Sequence, residues 1–402
     1  MKLVGLIRRS WRALLVVGGC LALVAALGAC GSSGSGSSGG SSTSSDSAST
    51  GSRCDLAYAQ GQLDKYKQVP AFQAPGPAFD ASRARGKVIY DIPLTSSIPF
   101  VNAIDQSMAD VAKRQGIKLV VYPNQGQTSQ WVQGMQTAIA AHADAIVLNI
   151  ADPRVLRPQI AAARAAGIPV ISTHLYDDRY DQPGLPGSHY VNGVTTMVGA
   201  PFDLAARLEA DDAIATTRCN AHVIAIQSSE LENFSIIVRS WRDELARYCP
   251  SCTLDVINVP VADWSSRLQS NLQAELQKQP DTNWVIPFAD GMTQYAVPAI
   301  VASGKTGKVQ MSTFNGTPFA LKYVQDADIV HSNLGENLDL LGYSYMDQAM
   351  RVLLGLRPNR HGYIPVRLFD DSNVNDTGNP PVFSKGFGDA YVSGFEKLWR
   401  NQ

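Results

Sequence analysis

From Gly86 onward, short runs of β-branched and aliphatic residues alternate with longer stretches whose apolar positions recur every three or four residues. The short runs read as strands covered on both faces and the long ones as amphipathic helices. Their alternation predicts βαβ units around parallel sheets. In a first set the strand KVIYDI leads to the helix FVNAIDQSMADVAKRQG, and KLVVYP to a helix through WVQGMQTAIAAH. AIVLNI then leads to PRVLRPQIAAARAAG, and PVIST closes the set. A Gly/Pro-rich crossing near Gly184 to Gly199 comes next. The second set runs through the helix FDLAARLEADDAIA, the strand HVIAIQ, the helix FSIIVRSWRDELARY and the strand LDVINV. It continues with SRLQSNLQAELQKQ, NWVIPF, a helix through QYAVPAIVASG, KVQMST and a short helix at PFALKYVQDA. After IVHSNL come a long helix, LLGYSYMDQAMRVLLG, a last strand, PVRLF, and a tail with one helix ending in KLWRNQ. The two sets share one plan. The expected fold is therefore α/β, two doubly wound parallel-sheet lobes joined by a hinge. Lobe 1 is expected over 86–190 plus about 335–362 and lobe 2 over 191–334 plus about 363–374, with an extension at 53–85 and a tail at 375–402.

The pattern before Gly86 is of another kind. Lys2, Arg8, Arg9 and Arg12 precede an apolar run from Ala13 to Ala29, which reads as a secretory signal peptide over 1–29. Its last residues, Leu27-Gly28-Ala29-Cys30, resemble the bacterial lipobox, in which the cysteine is acylated and becomes the new N-terminus. Residues 30–52 then form a Ser/Gly tether with almost no side chain to bury. A coil of this kind spans roughly 25 Å, so it reads as a leash between a membrane surface and a folded body. The expected place is extracytoplasmic, anchored to the cell membrane through lipidated Cys30.

Composition narrows the partners. The chain of 402 residues has 34 basic and 35 acidic residues; without the four basic residues of the signal, 30 face 35 and the balance is −5. No basic patch or Arg-rich stripe stands out, which argues against nucleic acid. Beyond Cys30 the cysteines are Cys54, Cys219, Cys249 and Cys252, an even number in an exported chain, which suggests disulfides. Cys249 and Cys252 form a CxxC, which reads as redox-active or as half a zinc site elsewhere, but no second CxxC or paired histidines accompany it, so neither role is expected here. HVIAIQ and LDVINV should be neighbouring parallel strands, so Cys219 and the Cys249/Cys252 turn meet at one sheet edge. A bond from Cys219 to one of those two, Cys249 in the first place, is expected there, with a local Cys249–Cys252 bond as its rival.

Ligands of open parallel sheets bind beyond the carboxyl ends of the strands, so the residues that follow each strand are the candidates. They include Phe100, His174, Trp264, Asp290 and Asn315. Polar groups between flat aromatic walls suit a small polyhydroxylated molecule. Trp131 and Trp241, on helices, are expected in the core.

Residues from Gly86 to about Phe369 resemble the type I periplasmic binding proteins, in particular the ribose-binding-like group that serves ABC sugar transporters. The stretches SSIPFVNAIDQSMADVAKRQGIKLVV, AHADAIVLNIADP, FADGMTQYAVPAIVASG and FNGTPFALKYVQDADI carry the resemblance. It implies ligand-stacking roles for Phe100 and Trp264, a sugar-binding arginine at Arg239, turn positions for Asp290 and Asn315, and a hinge position for Glu336. Three departures stand out. Ile98 replaces an asparagine, His174-Leu175 an Asp-Arg pair, and Ala289 an asparagine. The implied function is a monomeric solute-binding lipoprotein, without cofactor or catalysis, that delivers a sugar, polyol or cyclitol to an ABC permease. A receptor feeding a sensor kinase or chemoreceptor, and a binding protein for a non-sugar molecule, are the alternatives. A secreted hydrolase is disfavoured, since the folded part has no GxSxG elbow and no HExxH.

Overall fold

The computed structural model describes residues 54–177, 190–231, 233–358 and 364–400. The expected signal peptide, Cys30 and the tether lie outside the described residues.

The chain enters through helix α1 (Leu56–Tyr66) and a single 3-10 turn, Ala81–Ala84. Lobe 1 follows as β1 (Val88–Pro93), α2 (Pro99–Gln115), β2 (Lys118–Val121), α3 (Thr128–Ala140) and β3 (Ala145–Asn149). It continues through α4 (Arg157–Ala165), β4 (Val170–Asp177) and β5 (Thr196–Ala200). These five strands form one parallel sheet in the order β2-β1-β3-β4-β5. The second lobe runs α5 (Phe202–Thr216), β6 (His222–Gln227), α6 (Asn233–Tyr248), β7 (Thr253–Asn258), α7 (Gln269–Lys278) and β8 (Trp284–Pro287). After these come α8 (Asp290–Ala302), β9 (Gln310–Asn315), α9 (Pro318–Gln325) and β10 (Val330–Glu336). Helix α10 (Leu338–Leu353) returns to lobe 1, strand β11 (Val366–Phe369) goes back to lobe 2, and α11 (Ala390–Leu398) ends the described chain. The second sheet has the order β11-β10-β9-β8-β6-β7, parallel except for β11 against β10. This is the α/β architecture of two doubly wound lobes.

One strand was hidden in the sequence. TMVGA, inside the expected Gly/Pro-rich crossing, is β5 and pairs with β4, so the passage to lobe 2 comes at Pro201 and not at 190/191. The segment is short and has Gly199 and Ala200 at its end, so its composition resembles a loop; partnership with β4 makes it a strand.

Each lobe buries its own core. In lobe 2 Trp241, Trp284, Phe202 and Phe314 are among the largest fully buried side chains. Lobe 1 packs Ile104, Met108, Leu341 and Met346 on one sheet face and Ile92, Met135, Ile146 and Ile160 on the other. Trp131 and Trp241 are buried, as the helical period implies. Gly342 explains how α10 reaches lobe 1 so closely, because a Cβ there would lie 2.4 Å from Ser107 Oγ on α2.

The cysteines follow the rival pairing at the CxxC turn and not the favoured Cys219–Cys249 bond. Cys54 bonds Cys219, and Cys249 bonds Cys252; the expected Cys219–Cys249 bond is absent. The physical reason is α1, which the strand-edge argument left out. Tyr58 stacks on Tyr248 of α6 with ring centroids 3.6 Å apart, and its hydroxyl donates to Glu244 at 3.0 Å. That seating brings Cys54 to Cys219 at the end of α5 and leaves the CxxC turn to close on itself.

Beyond α1 the extension is bound to both lobes. Lys67 pairs with Asp370 at 2.8 Å, and its carbonyl accepts from Nε of Arg367 on β11 at 2.8 Å. Farther on, Arg351 of α10 donates to the Pro77 carbonyl, and Phe79 and Ala81 donate to the carbonyls of Leu398 and Trp399. The tail makes the same passage: Asp376 accepts from Arg367 in lobe 2, while Trp399 donates to Asp347 of α10 in lobe 1.

Candidate functional site

The parallel strands of both sheets point their carboxyl ends at one cleft, a cavity of about 160 Å³ with walls from both lobes. Phe100 reaches it because Pro99 opens α2 at its first position, where a missing N–H costs nothing, and sets the following side chain at the mouth of the helix. Leu94, Ile150 and Leu175 complete the wall on the lobe 1 side.

His174 enters where β4 loses register with β5, and its φ of 57° is left-handed. Ile150 at φ 67°, after β3, and Asn315 at φ 134°, at the end of β9, share positive φ. Such backbone is costly for residues other than glycine and concentrates at functional sites. Nε2 of His174 lies 3.1 and 3.0 Å from the two oxygens of Glu336, and the ring meets Phe100 and Phe202 edge-on at 5.3 and 5.4 Å. Nδ2 of Asn315 also donates to Glu336, at 3.3 Å. Glu336 therefore joins a strand end from each lobe at the point where β10 crosses into α10. Fully buried, it stands behind the lining and is not part of it.

Asp290 plays a similar part in lobe 2. It accepts from the backbone N–H and hydroxyl of Thr317 (both 2.7 Å), from Thr313 (3.0 Å) and from Asn333 (2.7 Å). Burial nonetheless pushes its carboxyl up to about 7, against those hydrogen bonds. With no exposed surface it fixes the loop after β9 and does not reach the cavity.

Trp264 lies on a turn of π-helix, Trp264–Leu268, that interrupts the entry to α7. Its Nε1 donates to Ser228 Oγ at 3.0 Å and to the Val259 carbonyl at 3.2 Å, which locks the indole with its ring in the cleft wall. Gly291 makes room for it; a Cβ there would stand 3.0 Å from the ring.

Arg239 is elsewhere. It is an exposed residue in the middle of α6 and does not line the cavity. The residue of α6 that does is Asn233, its first. Six residues along a helix amount to about 9 Å of rise and a different face, so both positions cannot serve one cleft.

Of the seven expected binding residues, Phe100, His174, Trp264 and Asn315 line the cavity, Asp290 and Glu336 brace it from behind, and Arg239 lies outside it. Sequence reasoning missed Asn233, Phe234, Phe202, Phe288 and Thr317. Each sits at a strand end or at the start of the next helix, so position could have found them. Their apolar members look like core residues, and that hid them. The three departures noted in the sequence all fall on the lining: Ile98, His174-Leu175 and Ala289.

A family model described as a periplasmic binding protein domain matches residues 89–357. The ribose import binding protein of Bacillus subtilis (strain 168) is 22% identical over 285 residues, 68% of this chain and 84% of that protein. Among solved structures, an Agrobacterium vitis ABC transporter solute-binding protein bound with α-D-tagatopyranose has 16% identity and a TM-score of 0.65, over 72% of this chain and 96% of that one. A second from the same organism, with bound allitol, has 19% identity and a TM-score of 0.63, over 73% and 98%. At such identities the likeness of the solved structures is one of fold.

Proposed function

The chain belongs to the periplasmic binding protein domain family, and we propose that it captures a small polyhydroxylated molecule between its lobes and hands it to an ABC permease. Members of this family are extracytoplasmic solute-binding proteins and not enzymes. The observation that carries the reading is the cleft itself. Its walls come from strand and helix ends of both lobes, with Phe100 on one side and Trp264 on the other. A ligand held by both walls makes contacts that an open form lacks, so binding favours closure, and the closed form is what a permease can recognise. The tagatose- and allitol-bound solved structures are consistent with a sugar or polyol as the ligand.

The protein works as a monomer tethered to the membrane by lipidated Cys30, the Ser/Gly segment giving the folded body its reach. A thermal-shift screen of sugars, polyols, cyclitols, nucleosides and amino acids tests the ligand class, because a molecule that binds only the folded state raises its Tm. A response confined to nucleosides or amino acids would overturn the polyhydroxylated reading. For the anchor, Cys30→Ala should abolish metabolic palmitate labelling and release the protein or leave it unprocessed. Labelling that persists in the variant would refute lipidation at this residue.

A further inference from the structure

The cleft is more apolar than an unmodified sugar would match. Phe202, Phe234, Phe288 and Trp264 face it from lobe 2, and Ile98 and Leu175 from lobe 1. Among the described residues, most polar side chains of its walls are engaged behind it, the exposed Gln294 apart. Nε2 of His174 and Nδ2 of Asn315 are bound to Glu336, Oγ1 of Thr317 to Asp290, and Nε1 of Trp264 to Ser228. Oδ1 of Asn233 is different. The residue lines the cavity at the start of α6, is 8% exposed, and its carbonyl oxygen has no hydrogen-bond partner among the described residues. A buried acceptor left in this state is destabilising unless a ligand supplies a donor.

The size of the cavity limits the occupant further. About 160 Å³ is close to the roughly 150 Å³ of an apolar cavity that takes one benzene ring, so one ring with small substituents fits. An aldohexose placed here would leave several hydroxyls against hydrocarbon. Each hydroxyl desolvated without a partner weakens binding on the order of tenfold.

We propose that the ligand is a single-ring sugar or cyclitol in which hydroxyls are replaced or capped by hydrocarbon, a deoxy or O-methyl derivative. One remaining hydroxyl donates to Asn233, and the hydrocarbon lies against Phe234, Phe288 and Leu175. This rests on the cleft being the site of a polyhydroxylated solute, as proposed above.

Matched pairs test it: D-galactose against 6-deoxygalactose, D-ribose against 5-deoxyribose, and myo-inositol against its mono-O-methyl ether, each titrated by calorimetry into the purified full chain. In any pair that binds, the hydrocarbon-bearing member should bind at least about tenfold more tightly. Leu175→Asn should narrow that ratio toward the parent compound, and Asn233→Ala should weaken both members alike. Circular dichroism melting of each variant separates lost binding from lost folding. Parent compounds binding as well as their derivatives would overturn the proposal and leave the polyhydroxylated reading standing. If instead no member of any pair binds, while cyclohexanol or benzyl alcohol does, the polyhydroxylated reading fails and this proposal with it.

Discussion

Trp264 shows how much one side chain can be made to do by its surroundings. The indole N–H is held by Ser228 and Val259, so the ring has lost its rotational freedom before any ligand arrives. Trp264→Ala should cost about 1–3 kcal/mol of binding, comparable to uncovering a large apolar side chain, read as a roughly 5- to 150-fold rise in Kd. Gly291→Ala should reproduce part of that loss by pushing on the ring, although it removes no contact itself. Calorimetric Kd values equal to the parent's in Trp264→Ala would show that the pocket lies elsewhere. At this scale the sequence was legible where chemistry follows position. Phe100 and Trp264 follow strands, His174 lies at the register break in β4 and Asn315 ends β9, and all four line the cavity. Asp290 follows β8 and Glu336 ends β10, yet both point inward, because hydrogen-bond partners one layer down hold them there. Only the positions of those partners tell a ligand-facing carboxylate from a bracing one.

Among the elements, α1 is the one whose role periodicity could not reveal. It lies outside both lobes in sequence, yet it covers α5 and α6, and its disulfide joins residues 165 apart. The second bond spans a separation of 3. Because the entropy a cross-link removes from the unfolded chain grows with the loop it closes, the first bond should matter more. Replacing Cys54 and Cys219 together by serine should lower stability by about 2–4 kcal/mol, and replacing Cys249 and Cys252 should lower it less. Denaturant melts of the two double variants decide, and an equal or reversed order would exclude the loop-length account. Native-state hydrogen exchange should also rise first in α1 when Cys54 is lost, since Tyr58 and Lys67 are then left to hold it.

For the molecule as a whole, the most unusual physical property is the number of acidic groups it buries. Burial, with the charges of Glu244 and Asp212, pushes Asp211 up to about 8, and burial pushes Asp290 up to about 7. Burial also raises Glu209, and in lobe 1 burial and the adjacent Asp105 raise Asp91 well above the carboxylate range. An unfolded aspartate releases its proton near pH 4, so between about pH 4 and 8 the folded state holds protons that the unfolded state gives up. Stability therefore falls as pH rises through that window. His331, raised chiefly by the charge of Asp212, acts in the same sense: its contribution is full below its unfolded value and fades as pH climbs through the folded one. In the other direction, Asp370 is lowered by Lys67 in spite of its burial, so its contribution is lost in acid, below about pH 4. Tm should be highest in mildly acidic solution and decline toward pH 8. Asp211→Asn should raise Tm at pH 8 by about 2–4 °C, the shift that roughly 1 kcal/mol makes in a domain of about 150–250 residues. Calorimetric scans that show Tm climbing from pH 5 to pH 8 would contradict this. The sequence by itself determined the two-lobed α/β plan, because strand and helix periods are local properties that each segment carries wherever it packs. It also determined which strand ends could face a ligand, since parallel topology sends them all to one side. What only the tertiary structure decided was β5, the cysteine partners and the division between lining and bracing residues. Those depend on which distant segments come to lie against one another, and no local period records that.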